Sequence, residues 1–341
     1  MTNRPYTDSS SVLDDPEELR RRMQRDAYLY LPGLLPRELV ELIRAEMLVI
    51  CRDAGWLESR NDPREGTANR TAFTVEPEAA YMAVFNRQFA LESLHRAIHH
   101  RAIVSVIEAL EEEPVFPHPR AILRNIFPQF DAHTTPAHQD FIHFQGTERC
   151  YAAWIPFGDC SAEMGGLAVA EGSHREGLYD VQPSLGAGAL EVTKSFDGAW
   201  RWNPMRIGDV LVHHCLSVHR GVHNRSNALR LSVDARYQPV STPVCEDAFH
   251  PHRRFVDWPD IYREWRDESL QYYWKSLPLD VVPFDFRLYE QRDRVAFDMA
   301  ANGDQRAVAT LNRIVTSDPD TDKVRRARQA LAALAGHAKG P

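Results

Sequence analysis

Between Pro119 and about residue 245 the chain is cut into short apolar runs: Ala121–Phe127, Phe141–Phe144, Cys150–Pro156, Leu167–Ala170, Val210–His214 and Leu229–Tyr237. Pro, Gly, Asp and Asn separate them. Runs of this length with such breakers suit β-strands, not helices. Half a dozen short strands bury their apolar faces by packing as two sheets or closing on themselves, so the pattern predicts an all-β core over about 118–245. On either side the texture is helical. Asp15 and Pro16 open a helix, Ala27–Leu31 is a short strand ended by Pro32-Gly33, and helices are expected over 37–54 and 90–112. The segment 259–341 returns to helix, with Gly303-Asp304 as a break. The expected architecture is a mainly β core wrapped by N- and C-terminal α-helices. Residues 1–14 form a loose polar tail, 15–258 the domain, and 259–341 a helical extension packed on it.

Charge and cysteine content narrow the function. Lys+Arg is 40 and Asp+Glu is 48, a net charge of −8, the wrong balance for holding nucleic acid by its phosphates. The five cysteines are odd in number and form no CxxC pair, which argues against a disulfide framework or a thiolate zinc site and fits a reducing cytoplasm. No apolar stretch is long enough to span a membrane, and Met1–Asp15 lacks the apolar core of a signal peptide. The expected partner is a small molecule, neither nucleic acid nor membrane. Oligomeric state is not readable.

The densest chemistry is Pro136-Ala137-His138-Gln139-Asp140-Phe141. On a strand, side chains alternate, so His138 and Asp140 share a face and Gln139 takes the other. One His-x-Asp arises by chance in many chains. Here a second region follows: Gly208-Asp209 turns into a strand bearing His213 and His214, and His219 comes just after. A histidine from that region, added to His138 and Asp140, makes the two-histidine-one-carboxylate face of a non-haem Fe(II) oxygenase. The carboxylate is hard and anionic, the imidazoles borderline, and three coordination positions stay open. Arg230, eleven residues past His219 and across the turn Asn224–Asn227, can clamp a dicarboxylate by its planar fork. His133 and His143 lie at odd offsets from His138, His174 sits in a turn, and Arg220 and Arg225 read as solvated or as facing substrate at the cavity mouth.

The segment His138–Arg236 resembles the phytanoyl-CoA dioxygenase-like family of Fe(II)/2-oxoglutarate oxygenases. The features that carry the resemblance are His138-Gln139-Asp140, Ala153-Trp154-Ile155-Pro156 with Asp159, Met164-Gly165-Gly166-Leu167, Gly172-Ser173-His174, Gly208-Asp209, and His219 with Arg230. The resemblance implies a double-stranded β-helix, or jelly roll, with iron at one open end. It makes His138, Asp140 and His219 the iron ligands and Arg230 the partner of the distal carboxylate of 2-oxoglutarate. His214, sixteen residues from Arg230, fits that pattern less well. Asn125-Ile126-Phe127-Pro128 is similar to a strand whose Asn reaches the cosubstrate in ectoine hydroxylases, and Trp154 holds a position that packs near the cosubstrate in relatives. There are two departures: Glu171 stands where the family has Pro, and Gly221 where a hydroxyl residue often helps hold the cosubstrate.

The implied activity uses Fe(II), 2-oxoglutarate and O2 to hydroxylate, desaturate or cyclise at an unactivated C–H bond of a small molecule in a biosynthetic pathway, releasing succinate and CO2. Two alternatives stand beside it. One is a cupin-like metalloenzyme with the same three ligands and no 2-oxoglutarate; the other is a non-catalytic jelly-roll binding module.

Overall fold

The computed structural model describes residues 4–186 and 188–337. Helix α1 (Pro16–Asp26) begins as expected: the Asp15 carboxylate accepts from the Glu18 N–H, and Pro16 occupies the first turn, where its missing donor costs nothing. Strand β1 (Tyr28–Leu31) and helix α2 (Arg37–Asp53) follow. Then come α3 (Ala79–Phe89), α4 (Glu92–Ile98) and α5 (Arg101–Glu111). The single helix expected over 90–112 is therefore two. The chain leaves helical geometry at His99-His100, and the His100 ring caps α5 by accepting from Ala102 N–H.

The β region contains β2 (Val115–Pro117), β3 (Ile122–Ile126), a helical turn α6 (Phe141–Phe144), β4 (Tyr151–Pro156) and β5 (Leu167–Ala170). It continues through β6 (Val181–Pro183), β7 (Leu190–Val192), β8 (Trp200–Arg201), β9 (Val210–His214), β10 (His219–Gly221), β11 (Arg230–Pro239) and β12 (Val244–Cys245). Phe141–Phe144, expected as a strand, is one turn of helix; a four-residue apolar run carries no periodicity that separates the two. After α7 (Trp258–Tyr262) and β13 (Val281–Val282), helix resumes only at α8 (Glu290–Ala301), followed by α9 (Ala307–Ser317) and α10 (Thr321–His337). The α8–α9 break falls at Gly303-Asp304.

The larger sheet runs β1-β9-β4-β11-β2, with β3 also beside β11, and every pair is antiparallel. The smaller sheet is β10-β5-β8. Together they make a jelly-roll core that does not close into a barrel. Strand β11 shows how the layers form. Leu231, Val233, Ala235 and Tyr237 join the apolar core shared with α2, α3, α4 and α5. Arg230, Ser232, Asp234 and Arg236 face the space between the sheets. Each large apolar side chain buried on the helix side contributes about 1.5–3 kcal/mol, which holds the sheet and leaves its other face free to be polar.

The N-terminal segment differs from expectation. From Arg4 to Ser9 it lies docked across the core: the Tyr6 hydroxyl donates to Leu167 O at 2.9 Å, and its ring packs against Tyr28 and Tyr30. Polar composition hid one anchoring aromatic. At the other end, Trp258, Tyr262, Trp265 and Trp274 belong to the main core, whereas α8, α9 and α10 share a small apolar cluster of their own. The Asp293 carboxylate ties these helices by accepting from Arg313 at 2.5 Å and pairing with Lys323 at 2.6 Å. All five cysteines are unpaired. Among the described residues no helix is long and apolar enough to cross a membrane.

Candidate metal centre

His138 and His219 face each other across an antiparallel pair. His138 N–H donates to His219 O at 2.9 Å and His219 N–H returns to His138 O at 3.0 Å, extending the smaller sheet by one bridge. Residues directly opposite in such a pair project to the same side, and the ring centroids are 4.2 Å apart. His138 Nδ1 lies 2.8 Å from Pro136 O and His219 Nδ1 3.1 Å from Ser217 O. A carbonyl only accepts, so each Nδ1 carries the proton and each Nε2 presents its lone pair. Asp140, just ahead of α6, sets Oδ1 at 3.8 Å from both Nε2 atoms. That is too long for a hydrogen bond. The three donor atoms lie within 4.8 Å of one another, and all three residues are buried.

Electrostatics favour a cation there. Burial, with the neighbouring imidazoles adding to it, pushes both His138 and His219 down to about 3, so both rings are neutral at physiological pH, as ligands must be. Burial opposes ionisation of Asp140, yet Arg236 and the two imidazoles hold its carboxyl well below the usual carboxylate range. Two neutral imidazoles and one carboxylate oxygen fit a borderline first-row divalent ion such as Fe(II).

A surrounding layer fixes these donors. Arg236 donates to Asp140 Oδ2 from Nη2 at 2.8 Å and Nε at 3.2 Å, which leaves Oδ1 toward the histidines. The Arg236 guanidinium stacks 4.0 Å above the Phe144 ring, so α6 and β11 grip it together. Gln139, on the opposite face from His138, donates to Gly177 O and Leu216 O and accepts from Tyr179 N–H. Sequence reasoning missed Arg236. The signal was present as polar residues at every second position from Arg230 to Arg236, which a half-buried strand displays only when its polar face lines something.

Arg230 enters the same cavity. Its Nη1 donates to Val222 O at 2.6 Å and Met164 O at 3.2 Å, while its buried Nε has no partner. No carboxylate among the described residues forms an ion pair with it. Trp154, Ile126 and Leu167 supply the apolar wall. Asn125 is a correction. Strand alternation sends Arg124 and Ile126 into the cavity and turns Asn125 to the helices, where its Nδ2 donates to Gln88 Oε1 at 2.8 Å. It does not reach the cavity. Arg124, which sequence reasoning passed over, does, and it pairs with Glu76 at 2.7 Å.

The remaining candidates lie elsewhere. His213 packs its ring 4.3 Å from His219 with Nδ1 near Ser217 Oγ, and His214 turns to the other face against His174 and Tyr151. His143 Nδ1 meets the Tyr289 hydroxyl at 2.7 Å, and His133 sits against Phe73. Arg220 stacks over Trp200, and Arg225 is exposed beside Asp131. Gly208-Asp209 is a joint, not a chemical group. Gly208 has φ +95°, and a Cβ there would come 2.8 Å from Leu35 O; Asp209 accepts from Gly33 N–H, Arg206 N–H and the Tyr30 hydroxyl.

Comparison with known proteins adds an independent line. The chain is 29% identical over 277 residues to the 1-deoxypentalenic acid 11-beta-hydroxylase of Streptomyces arenae, covering 76% of this chain and 92% of that protein. Its Streptomyces exfoliatus counterpart is also 29% identical, over 283 residues, with the same coverage of both chains. Among solved structures, the apo form of the non-haem monooxygenase ThoJ aligns with a TM-score of 0.49 at 18% identity, over 66% of this chain and 78% of that one. The epimerase SnoN, solved with Fe3+, alpha-ketoglutarate and nogalamycin RO, aligns with a TM-score of 0.46 at 23% identity, over 67% and 85%. The phytanoyl-CoA dioxygenase (PhyH) family profile matches residues 23–232, a span that takes in β1, the helical layer, His138, Asp140, His219 and Arg230. With most of its length inside that match, the chain belongs to the phytanoyl-CoA dioxygenase family of Fe(II)- and 2-oxoglutarate-dependent oxygenases.

Proposed function

We propose that His138 Nε2, Asp140 Oδ1 and His219 Nε2 hold the iron, that Arg230 takes the distal carboxylate of 2-oxoglutarate, and that the enzyme hydroxylates a C–H bond of a small molecule. The observation that carries this reading is the convergence, in one buried cavity, of three metal-type donors and one arginine left without a carboxylate partner. When bound, iron and 2-oxoglutarate supply the oxidising chemistry: the keto acid becomes succinate and CO2 as O2 delivers one oxygen atom to succinate and one to the substrate. The chain's own work is placement. Arg236 keeps Asp140 ionised and aimed, and the two Nδ1–carbonyl bonds keep both imidazoles in the ligating tautomer. Arg230 provides a charge-assisted fork in a buried site. Trp154, Ile126 and Leu167 form a wall that screens the reacting centre from solvent.

The names of the Streptomyces relatives support hydroxylation of a biosynthetic small molecule. Five unpaired cysteines support a reducing, cytoplasmic setting. The test is spectroscopic. Anaerobic Fe(II) with 2-oxoglutarate should give the wild type a visible charge-transfer band, because the keto acid chelates the metal, and His219→Ala should lose it. A wild type that binds Fe(II) and shows no band on adding 2-oxoglutarate would refute the cosubstrate assignment.

A further inference from the structure

Four ionisable side chains reach the cavity from β3 and β11: Arg124, Arg230, Asp234 and Arg236. Arg236 is taken by Asp140 and Arg124 by Glu76. Arg230, on the reading above, meets the cosubstrate. Asp234 is left over. It is 7% exposed and lines the cavity, yet its carboxylate forms no hydrogen bond and no basic nitrogen approaches within 4.0 Å among the described residues. Beyond its place in the sheet, its backbone carbonyl accepts from Arg236 Nη1 at 2.8 Å. Its cross-strand neighbour on β4 is Trp154, so the carboxylate stands at the edge of the apolar wall.

A carboxylate taken out of water without a partner is costly, and one aimed into a ligand cavity has its partner supplied by the ligand. Burial pushes the Asp234 carboxyl up from its ordinary range, while Arg236 and Arg124 oppose that shift. We propose that Asp234 recognises the molecule to be oxidised by accepting a hydrogen bond from its hydroxyl or N–H group, so that the end entering the cavity is a hydrogen-bond donor and not a carboxylate. The inference rests on the iron and 2-oxoglutarate reading. Arg124 and Arg236 are each already paired with a carboxylate, so an acid entering at this point would face Asp234 with like charge.

Two probes of one shape, cyclohexylmethanol and cyclohexanecarboxylate, separate these cases. Their dissociation constants are read by ligand-observed saturation-transfer NMR on the full chain loaded with Zn(II) and 2-oxoglutarate. The wild type should bind the alcohol at least roughly tenfold tighter than the acid, because like charges juxtaposed in a desolvated site are strongly unfavourable. Asp234→Asn should bring the two within about threefold by relieving that repulsion. Asp234→Ser gives the same readout if the Asn variant melts early. Equal binding of both probes by the wild type, an unchanged ratio in both variants, or no binding of the alcohol up to its solubility would overturn the proposal. So would a loss of 2-oxoglutarate affinity in the variants with the probe ratio preserved, since Asp234 would then serve the cosubstrate. The Fe(II) charge-transfer band of the wild type is a separate measurement, and its absence would count against the underlying reading alone.

Discussion

Arg236→Met tests whether the arginine behind the proposed metal ligand Asp140 governs iron binding. Asp140 Oδ2 receives two N–H bonds from Arg236, and neither side chain is more than 4% exposed. Removing one partner of such a buried pair costs about 3–5 kcal/mol, because the remaining charge is uncompensated. The apo protein escapes most of that by protonating Asp140. Its carboxyl, held well below the usual range in the wild type, then moves upward, since the guanidinium bonded to it, the largest influence against burial, is gone. A protonated carboxyl must lose its proton before it ligates. Iron affinity at neutral pH should therefore fall roughly 10–100-fold, the usual range for losing a group that orients a ligand. The pH dependence has a defined sign. As the folded-state pKa of Asp140 moves upward, the folded variant binds more protons than the folded wild type over the acidic range, so the stability gap between them widens as pH rises through that range. Iron affinity rises over the same window, by up to about tenfold per pH unit. Anaerobic Fe(II) titrations with saturating 2-oxoglutarate at about pH 6, 7 and 8 measure the affinity, and apo melting curves measure the stability. Fe(II) affinity within about twofold of wild type at all three pH values would refute the role given to Arg236.

Other outcomes follow from the same geometry. Arg230→Ala should raise the 2-oxoglutarate requirement at least roughly tenfold while iron stays bound, since a charge-assisted pair in a closed site is worth about 2–5 kcal/mol; an unchanged requirement moves the clamp to another residue. His219→Ala should lose iron and His214→Ala should keep it, as metal analysis after desalting will show, because the His214 ring points away toward His174 and Tyr151. Glu76 is held well below its ordinary 4.5 by His252, Arg253 and Arg124 against the pull of burial, so its contribution is complete above that value and lost as pH falls through the lower folded-state pKa. Glu76→Gln should thus destabilise by about 3–5 kcal/mol at neutral pH, with the gap in urea melts narrowing only below about pH 4.5. On the proposal that Asp140 takes a coordination position, the wild type in chloride buffer should yield oxygenated or desaturated product by mass spectrometry and no chlorinated one, and a chlorinated product would remove Asp140 from the ligand set.

Local patterns determined a good deal of this protein before any fold was known. Most of the strand runs between Ala121 and Tyr237, the capped helix after Asp15 and the break at Gly303-Asp304 are properties of neighbouring residues, and neighbours in sequence remain neighbours in space. The His138-x-Asp140 and His219–Arg230 spacings were legible for the same reason: each pair sits on one short stretch of backbone. What tertiary structure alone decided involves residues far apart in sequence. That His138 and His219 hydrogen-bond as opposite partners, and so present their rings to one side, follows from how the sheets pair. The capture of Asp140 by Arg236 needed α6 to turn where a strand was expected. Asn125 and Arg124 are adjacent and equally polar; which of them meets the cavity depends on which face of β3 the helices cover, and a one-residue change of face exchanges their roles. The docking of Tyr6 and the isolation of Asp234 are of the same kind, because whether a polar group has a partner is settled by what other segments bring beside it, and no local pattern records that.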